Sequence, residues 1–195
     1  MANKESTLIN MTLTLLIVTL VASTALGYIY ELTKEPIAKA KLAKKTDALK
    51  MVLPEFDNNP IEEMYKVPSD EGYDSLEVYP ALKNGLLVGS AIRSYSKKGF
   101  TGNVWIMVGF STNGSVINIE VLDHKETPGL GTKMAEPKFK DQFQGVHPEN
   151  FQLKVKKDGG EVDAITAATI SSRAFTDAAQ RAYQAYKEGG KHEQK

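Results

Sequence analysis

Residues 104–122, VWIMVGFSTNGSVINIEVL, decide what kind of domain this chain builds. Asn113-Gly114 divides them into two β-rich runs, 104–110 and 116–122. Asn-Gly is a strong hairpin signal, because both residues accept the positive φ that a tight reversal needs. In the second run Ile117, Ile119 and Val121 alternate with Val116, Asn118, Glu120 and Leu122, so one face of this strand reads as apolar. Asn84-Gly85 repeats the arrangement between 76–82 and 86–95. Two such hairpins imply a mainly antiparallel sheet.

Helices flank these strands. Downstream, Ser171 or Ser172 is expected to cap a helix running to about Lys187. Phe175, Ala178, Ala179, Ala182, Tyr183 and Tyr186 form one inward stripe along it at helical spacing. Gly189-Gly190 is expected to stop this helix and open a disordered tail, 189–195. Upstream, 57–71 carries loop signals: Asn58-Asn59-Pro60, Pro68 and Asp70-Glu71-Gly72. Before that, Pro36 suits the first turn of a helix rich in Ala, Leu and Lys, which Pro54 ends.

The first thirty residues are a different material. No charge and no proline occurs from Ser6 to Tyr30. As a helix, the apolar run 8–30 spans roughly 35 Å, enough for a bilayer core. Tyr28 and Tyr30 stand at its end, where aromatic rings favour the interface. A signal peptide cleaved near Ala25-Leu26-Gly27 is the rival, but its apolar core would exceed the usual length of about 7–15 residues. The expected organisation is an anchor at 1–30, a helical stalk at 31–54, one α+β domain at 55–188 and the tail. Lys34, Lys39, Lys41, Lys44, Lys45 and Lys50 follow the anchor and only Lys4 precedes it, so charge alone leans towards a cytoplasmic domain.

Composition removes several chemistries. The 195 residues carry 24 basic and 24 acidic side chains and no cysteine. Disulfides, thiolate-held clusters and thiol nucleophiles are excluded. The balanced charge argues against a nucleic-acid module, which needs a basic excess to meet phosphates. His124, His147 and His192 are far apart, and no metal site is expected. No G-x-S-x-G elbow is present, and Gly129-Leu130-Gly131-Thr132-Lys133 fails the spacing of a phosphate loop.

Two segments remain. The first is the turn His124-Lys125-Glu126-Thr127-Pro128-Gly129-Leu130-Gly131, directly after the strongest strand. Pro128 fixes φ, and the glycines let the backbone turn tightly and approach a ligand. An ordinary surface turn is the equal alternative. The second is Asp163-Ala164-Ile165-Thr166-Ala167-Ala168-Thr169-Ile170-Ser171-Ser172, opening the last helix. Small residues leave its hydroxyls accessible, and a helix N-terminus favours a phosphate. Capping alone explains one of those hydroxyls, not four.

An anchor, then E-T-P-G-L-G at 126–131, then D-x-x-[ST]-[GA]-A-T at 163–169: with this order the chain resembles the G subunit of the Rnf electron-transport complex. It is more distantly similar to the C subunit of the sodium-translocating NADH:quinone reductase. The resemblance covers nearly the whole chain. It implies FMN attached through its phosphate to Thr169 by a separate flavin transferase that uses FAD and a divalent metal. Asp163 and Thr166 match the motif's acidic and hydroxyl positions, and Ala168 and Ser171 flank the attachment residue. Glu126, Thr127, Leu130 and Gly131 belong to the loop expected against the flavin. Ala167 departs from the family, where glycine is frequent.

The resemblance further implies an electron-carrying subunit of an ion-translocating ferredoxin:NAD⁺ oxidoreductase in the cell inner membrane. Its partners would be the other membrane subunits of that complex. It would be inactive alone, with the flavin domain on the extracytoplasmic side against the lysine count. The alternative is a membrane-tethered FMN-binding sensory or binding module outside any electron-transport complex.

Overall fold

A computed structural model describes residues 7–69 and 72–190. Its first element is a single helix, α1 (Leu8–Val52), which runs through Pro36. The helix start expected at Pro36 is therefore absent. Glu31 to Glu35 contain no breaker, so the anchor and the Ala/Leu/Lys stretch form one helix, in which Pro36 removes a backbone donor without ending it. Aliphatic side chains such as Leu15, Leu20 and Val21 are exposed. The hydroxyls of Thr12, Thr14, Thr19, Thr24 and Thr33 donate back to carbonyls four residues earlier. Polar groups satisfied within the helix are what a lipid-facing segment requires. Among the described residues, α1 is the one helix long and apolar enough to cross a membrane.

The chain divides into two compact units, Met1–Ala43 and Lys44–Lys195. The second contains the sheet. β1 (Tyr65–Val67), β2 (Leu76–Lys83), β3 (Leu86–Ser96), β4 (Val104–Ser111) and β5 (Val116–Asp123) follow one another in space as in sequence. All neighbours are antiparallel. Asn84, at φ 52°, and Gly85, at φ 76°, make the β2–β3 reversal, and Gly114, at φ 91°, serves β4–β5. The alternation expected in β5 is broken by a register shift between Gly109 and Phe110 of its partner. The bulge turns Val116 inward together with Ile119 and leaves Ile117 half-buried.

Each face of the sheet has its own core. On one, Val78, Ile92, Ile106, Val108 and Phe110 pack against α3 (Thr169–Ala185). The expected stripe, from Phe175 to Tyr186, is buried throughout. Ala178, Ala179 and Ala182 keep that helix close, and the Ser94 hydroxyl of β3 donates to the Ala178 carbonyl at 2.8 Å. On the other face, Ala48, Leu49, Val52 and Leu53 pack with Tyr79, Ala81, Ala91 and Met107. The last turns of the expected stalk are thus part of this core. A Cβ on Gly109 would stand 1.8 Å from the Val52 carbonyl oxygen, so only glycine allows this approach.

Between β5 and α3 lie a 3-10 turn, Gly131–Ala135, a short helix, α2 (Pro137–Lys140), and two further 3-10 turns, Asp141–Phe143 and Lys156–Asp158. Lys140 of α2 is buried and paired with Glu120 of β5. Gly189 and Gly190 do not end the helical run but complete a π-helical turn, Tyr186–Gly190, whose Gly189 carbonyl accepts from the Tyr65 hydroxyl at 2.6 Å. Residues 191–195 of the expected tail, and Asp70 and Glu71 of the expected loop, lie outside the described residues.

Candidate functional site

The two segments singled out by sequence meet in one pocket of about 330 Å³. That is within the roughly 300–1,000 Å³ of small-molecule sites. Glu126, Thr127, Leu130 and Gly131 line it from the loop after β5, and Ala167, Ala168, Thr169, Ile170 and Ser171 from the start of α3.

Glu126 joins the two sides. It is 5% exposed, and its carboxylate accepts from the Ser171 hydroxyl at 2.5 Å and from the Thr101 N–H at 3.3 Å. The Thr101 hydroxyl donates to the Lys125 carbonyl, so residues 99–102 are fastened to the same loop. The Glu126 N–H donates to His124 Nδ1 at 3.2 Å. Gly129, at φ 75°, reverses the chain, and its N–H donates to the Thr132 hydroxyl at 2.9 Å. At Gly131 an added Cβ would sit 2.5 Å from Ser171 Oγ and 2.7 Å from Glu126 Cβ. Glycine is what lets the loop close on the helix.

The start of α3 is not capped as expected. Its N-cap is Ala168, which has no side chain to do so. Ser171 is engaged with Glu126. The Ser172 hydroxyl accepts from the Ile165 N–H at 2.9 Å and donates to the Ala168 carbonyl at 3.0 Å. Both serines lie within the first turn and are buried, so their hydroxyls serve tertiary bonds instead of the helix end. The N–H groups of Thr169, Ile170 and Ser171 have no hydrogen-bond partner among the described residues, and neither has the half-buried Thr169 hydroxyl. Three free N–H groups and a free hydroxyl at a helix N-terminus fit a phosphate ester.

Ala167 stands at φ 60°, the left-handed region. That conformation costs an L-residue roughly 1–2 kcal/mol and costs glycine none. The structure thus explains why glycine suits this position.

Asp163 and Thr166 do not line this pocket. Both are exposed and line a neighbouring hollow of about 210 Å³ with Lys133, Lys138 and Gln142. Asp163 pairs with Lys156 at 2.8 Å, and its N–H donates to the Gln142 side chain at 2.7 Å. Arg173, in the first turns of α3, holds the exposed Asp158 carboxyl below the usual carboxylate range through its own hydrogen bonds.

Two lining residues carry no expectation of their own from the sequence motifs: Phe100 lies outside both segments, and Ile170 lies within the second but past its motif. They are 64% and 45% exposed, and with Leu130, 40% exposed, they give the pocket an apolar rim suited to a flat heterocycle. The one sequence signal for Phe100 is an aromatic residue between Gly99 and Gly102 in a loop.

Residues 99–184 match the model of the FMN-binding domain family. The G subunit of the ion-translocating oxidoreductase complex of Aliivibrio fischeri is 37% identical over 180 residues, covering 86% of this chain and 85% of that protein. This chain belongs to that G-subunit family. Within the same family, the G subunit of the Na⁺-translocating ferredoxin:NAD⁺ oxidoreductase complex of Acetobacterium woodii is 32% identical over 185 residues, 89% of each chain. Among solved structures, the C subunit of the Na⁺-translocating NADH-quinone reductase of Parabacteroides distasonis is 19% identical, with a TM-score of 0.47 over 78% of this chain and 85% of that one. The FMN-binding match begins at Gly99, so it takes in all the pocket-lining residues named above.

Proposed function

We propose that this chain is the membrane-anchored flavoprotein subunit of an ion-translocating ferredoxin:NAD⁺ oxidoreductase complex, with FMN joined through its phosphate to Thr169. The observation that carries the reading is Thr169, which lines the pocket closed by the 126–131 loop and whose hydroxyl, at an uncapped helix N-terminus, has no partner among the described residues.

The side chains divide the work. Thr169 supplies the ester oxygen, and the free N–H groups of Thr169, Ile170 and Ser171 receive the remaining phosphate charge. Thr127, Leu130 and Gly131 form one wall and Phe100 and Ile170 the rim. Bound FMN supplies the one- and two-electron chemistry that no side chain of this chain offers. A separate flavin transferase would make the link: the Thr169 oxygen–phosphorus bond would form as the pyrophosphate of FAD breaks, with AMP and the hydroxyl proton leaving. Asp163 and Thr166, exposed beside the attachment point, belong to the surface that such an enzyme would read.

In this reading α1 anchors the chain, the flavin domain faces the extracytoplasmic side, and the electron partners are the other subunits of the complex. A reporter fused at the C-terminus checks the orientation; activity confined to the cytoplasm would overturn it. For the attachment, co-expression with a flavin transferase should make the denatured protein fluoresce under ultraviolet light in a gel. Thr169→Ala should be dark. A dark wild type, or a glowing variant, would contradict the assignment.

A further inference from the structure

Glu126 is more than a fastener of two segments. It is 5% exposed, it lines the pocket, and no Lys, Arg or His forms an ion pair with it among the described residues. Both its oxygens accept, one from the Ser171 O–H at 2.5 Å and one from the Thr101 N–H at 3.3 Å. Bonded this way, accepting on both oxygens, Glu126 serves as a carboxylate. The Ser171 donor sits in the first turn of α3, whose positive end accommodates an anion. The wall of the pocket therefore carries one fixed negative charge, held by neutral donors and largely shielded from water.

We infer that Glu126 sets how readily a flavin in this pocket accepts an electron. The inference rests on the FMN reading above. Charges interact more strongly where water is excluded, so a carboxylate in the wall disfavours added negative charge on the ring and lowers its midpoint potential. Glu126 itself forms no bond and exchanges no electron. It acts through its field, at the close approach of loop and helix where a side chain at Gly131 would meet Ser171 and Glu126.

Glu126→Gln separates charge from geometry. The amide oxygen can accept from the Thr101 N–H while the amide N–H₂ donates to Ser171, whose hydroxyl turns to accept. Ser171→Ala does the converse: it keeps the charge and removes a donor that screens it. The test is spectroelectrochemical titration of the full-length protein in detergent, with covalent flavin or, where none is attached, with added FMN.

Glu126→Gln should favour uptake of the first electron by about tenfold, a rise of about 59 mV. Ser171→Ala should lower the potential. No rise in Glu126→Gln, or a rise in Ser171→Ala, would overturn the inference. Should Glu126→Gln not fold, Ser171→Ala decides alone, a fall supporting the charge and any other result overturning it. Absence of covalent flavin from the wild type would count against attachment at Thr169 and leaves this comparison intact with free FMN.

Discussion

The Ser171 hydroxyl donates to the Glu126 carboxylate at 2.5 Å, tying the first turn of the last helix to a loop 45 residues earlier in the chain. Gly131 passes beside this bond with no room for a methyl group. Gly131→Ala must push the loop off the helix or break the bond. We expect a loss of about 1–3 kcal/mol, as for other overpacked sites, and a severalfold fall in flavin content. Urea unfolding and flavin absorbance per chain check both.

Ala167→Gly should act in the opposite direction. It removes the left-handed penalty at φ 60°, and glycine's greater freedom in the unfolded chain offsets part of the gain. The expected outcome is a stability rise of up to about 1 kcal/mol with flavin incorporation no lower than wild type. A clear loss of stability would show that the Ala167 methyl makes a contact worth more than the backbone strain.

Gly109→Val addresses the other face of the sheet. Its side chain would occupy the place of the Val52 carbonyl and force the end of α1 away from β4. Ala48, Leu49 and Val52 would lose their partners Tyr79, Ala81 and Met107. A cost of about 3 kcal/mol or more is expected, read as a lower urea midpoint for the domain.

Stability should fall in acid for a definable reason. Burial works against the charge of Glu77, yet the Tyr79 hydroxyl, Arg93 and Lys45 outweigh it and hold the carboxyl below its usual range. Asp177 behaves alike: burial opposes its charge, and Lys98, Ser96 and Arg181 prevail. A carboxyl depressed in the folded state contributes fully above its unfolded pKa of about 4, and that contribution is lost as pH falls through the folded value. Glu77→Gln should therefore lower the urea midpoint most at about pH 7, with the gap to wild type closing towards about pH 3. An equal gap at both ends would remove the charge from the explanation.

Local signals in the chain reach as far as local physics does. Asn84-Gly85 and Asn113-Gly114 place four strands because a tight reversal needs positive φ, taken by both residues of the first pair and by Gly114 alone in the second. The stripe from Phe175 to Tyr186 is equally legible, since a helix with one buried face repeats at a fixed interval. β1 is not, because three residues carry no period. Pro36 reads as a helix start because first-turn and interior prolines share the same neighbours when no breaker lies between them. Ser171 and Ser172 read as caps because a hydroxyl's partner is not written beside it. Theirs are Glu126, far away in the chain, and the Ile165 N–H. The meeting of 126–131 with 167–171 follows from resemblance. The left-handed Ala167, and the separation of Asp163 and Thr166 from that pocket, depend on tertiary packing that no local pattern encodes.

The central claim is the ester at Thr169, and trypsin isolates it well. Cleavage after Lys157 and Arg173 releases residues 158–173, which hold Thr166, Thr169, Ser171 and Ser172 together. Tandem mass spectrometry of this peptide, from protein co-expressed with a flavin transferase, should find the mass of one FMN less one water, with fragments placing it on Thr169. The unmodified peptide alone, or the added mass on Thr166, Ser171 or Ser172, would contradict the account.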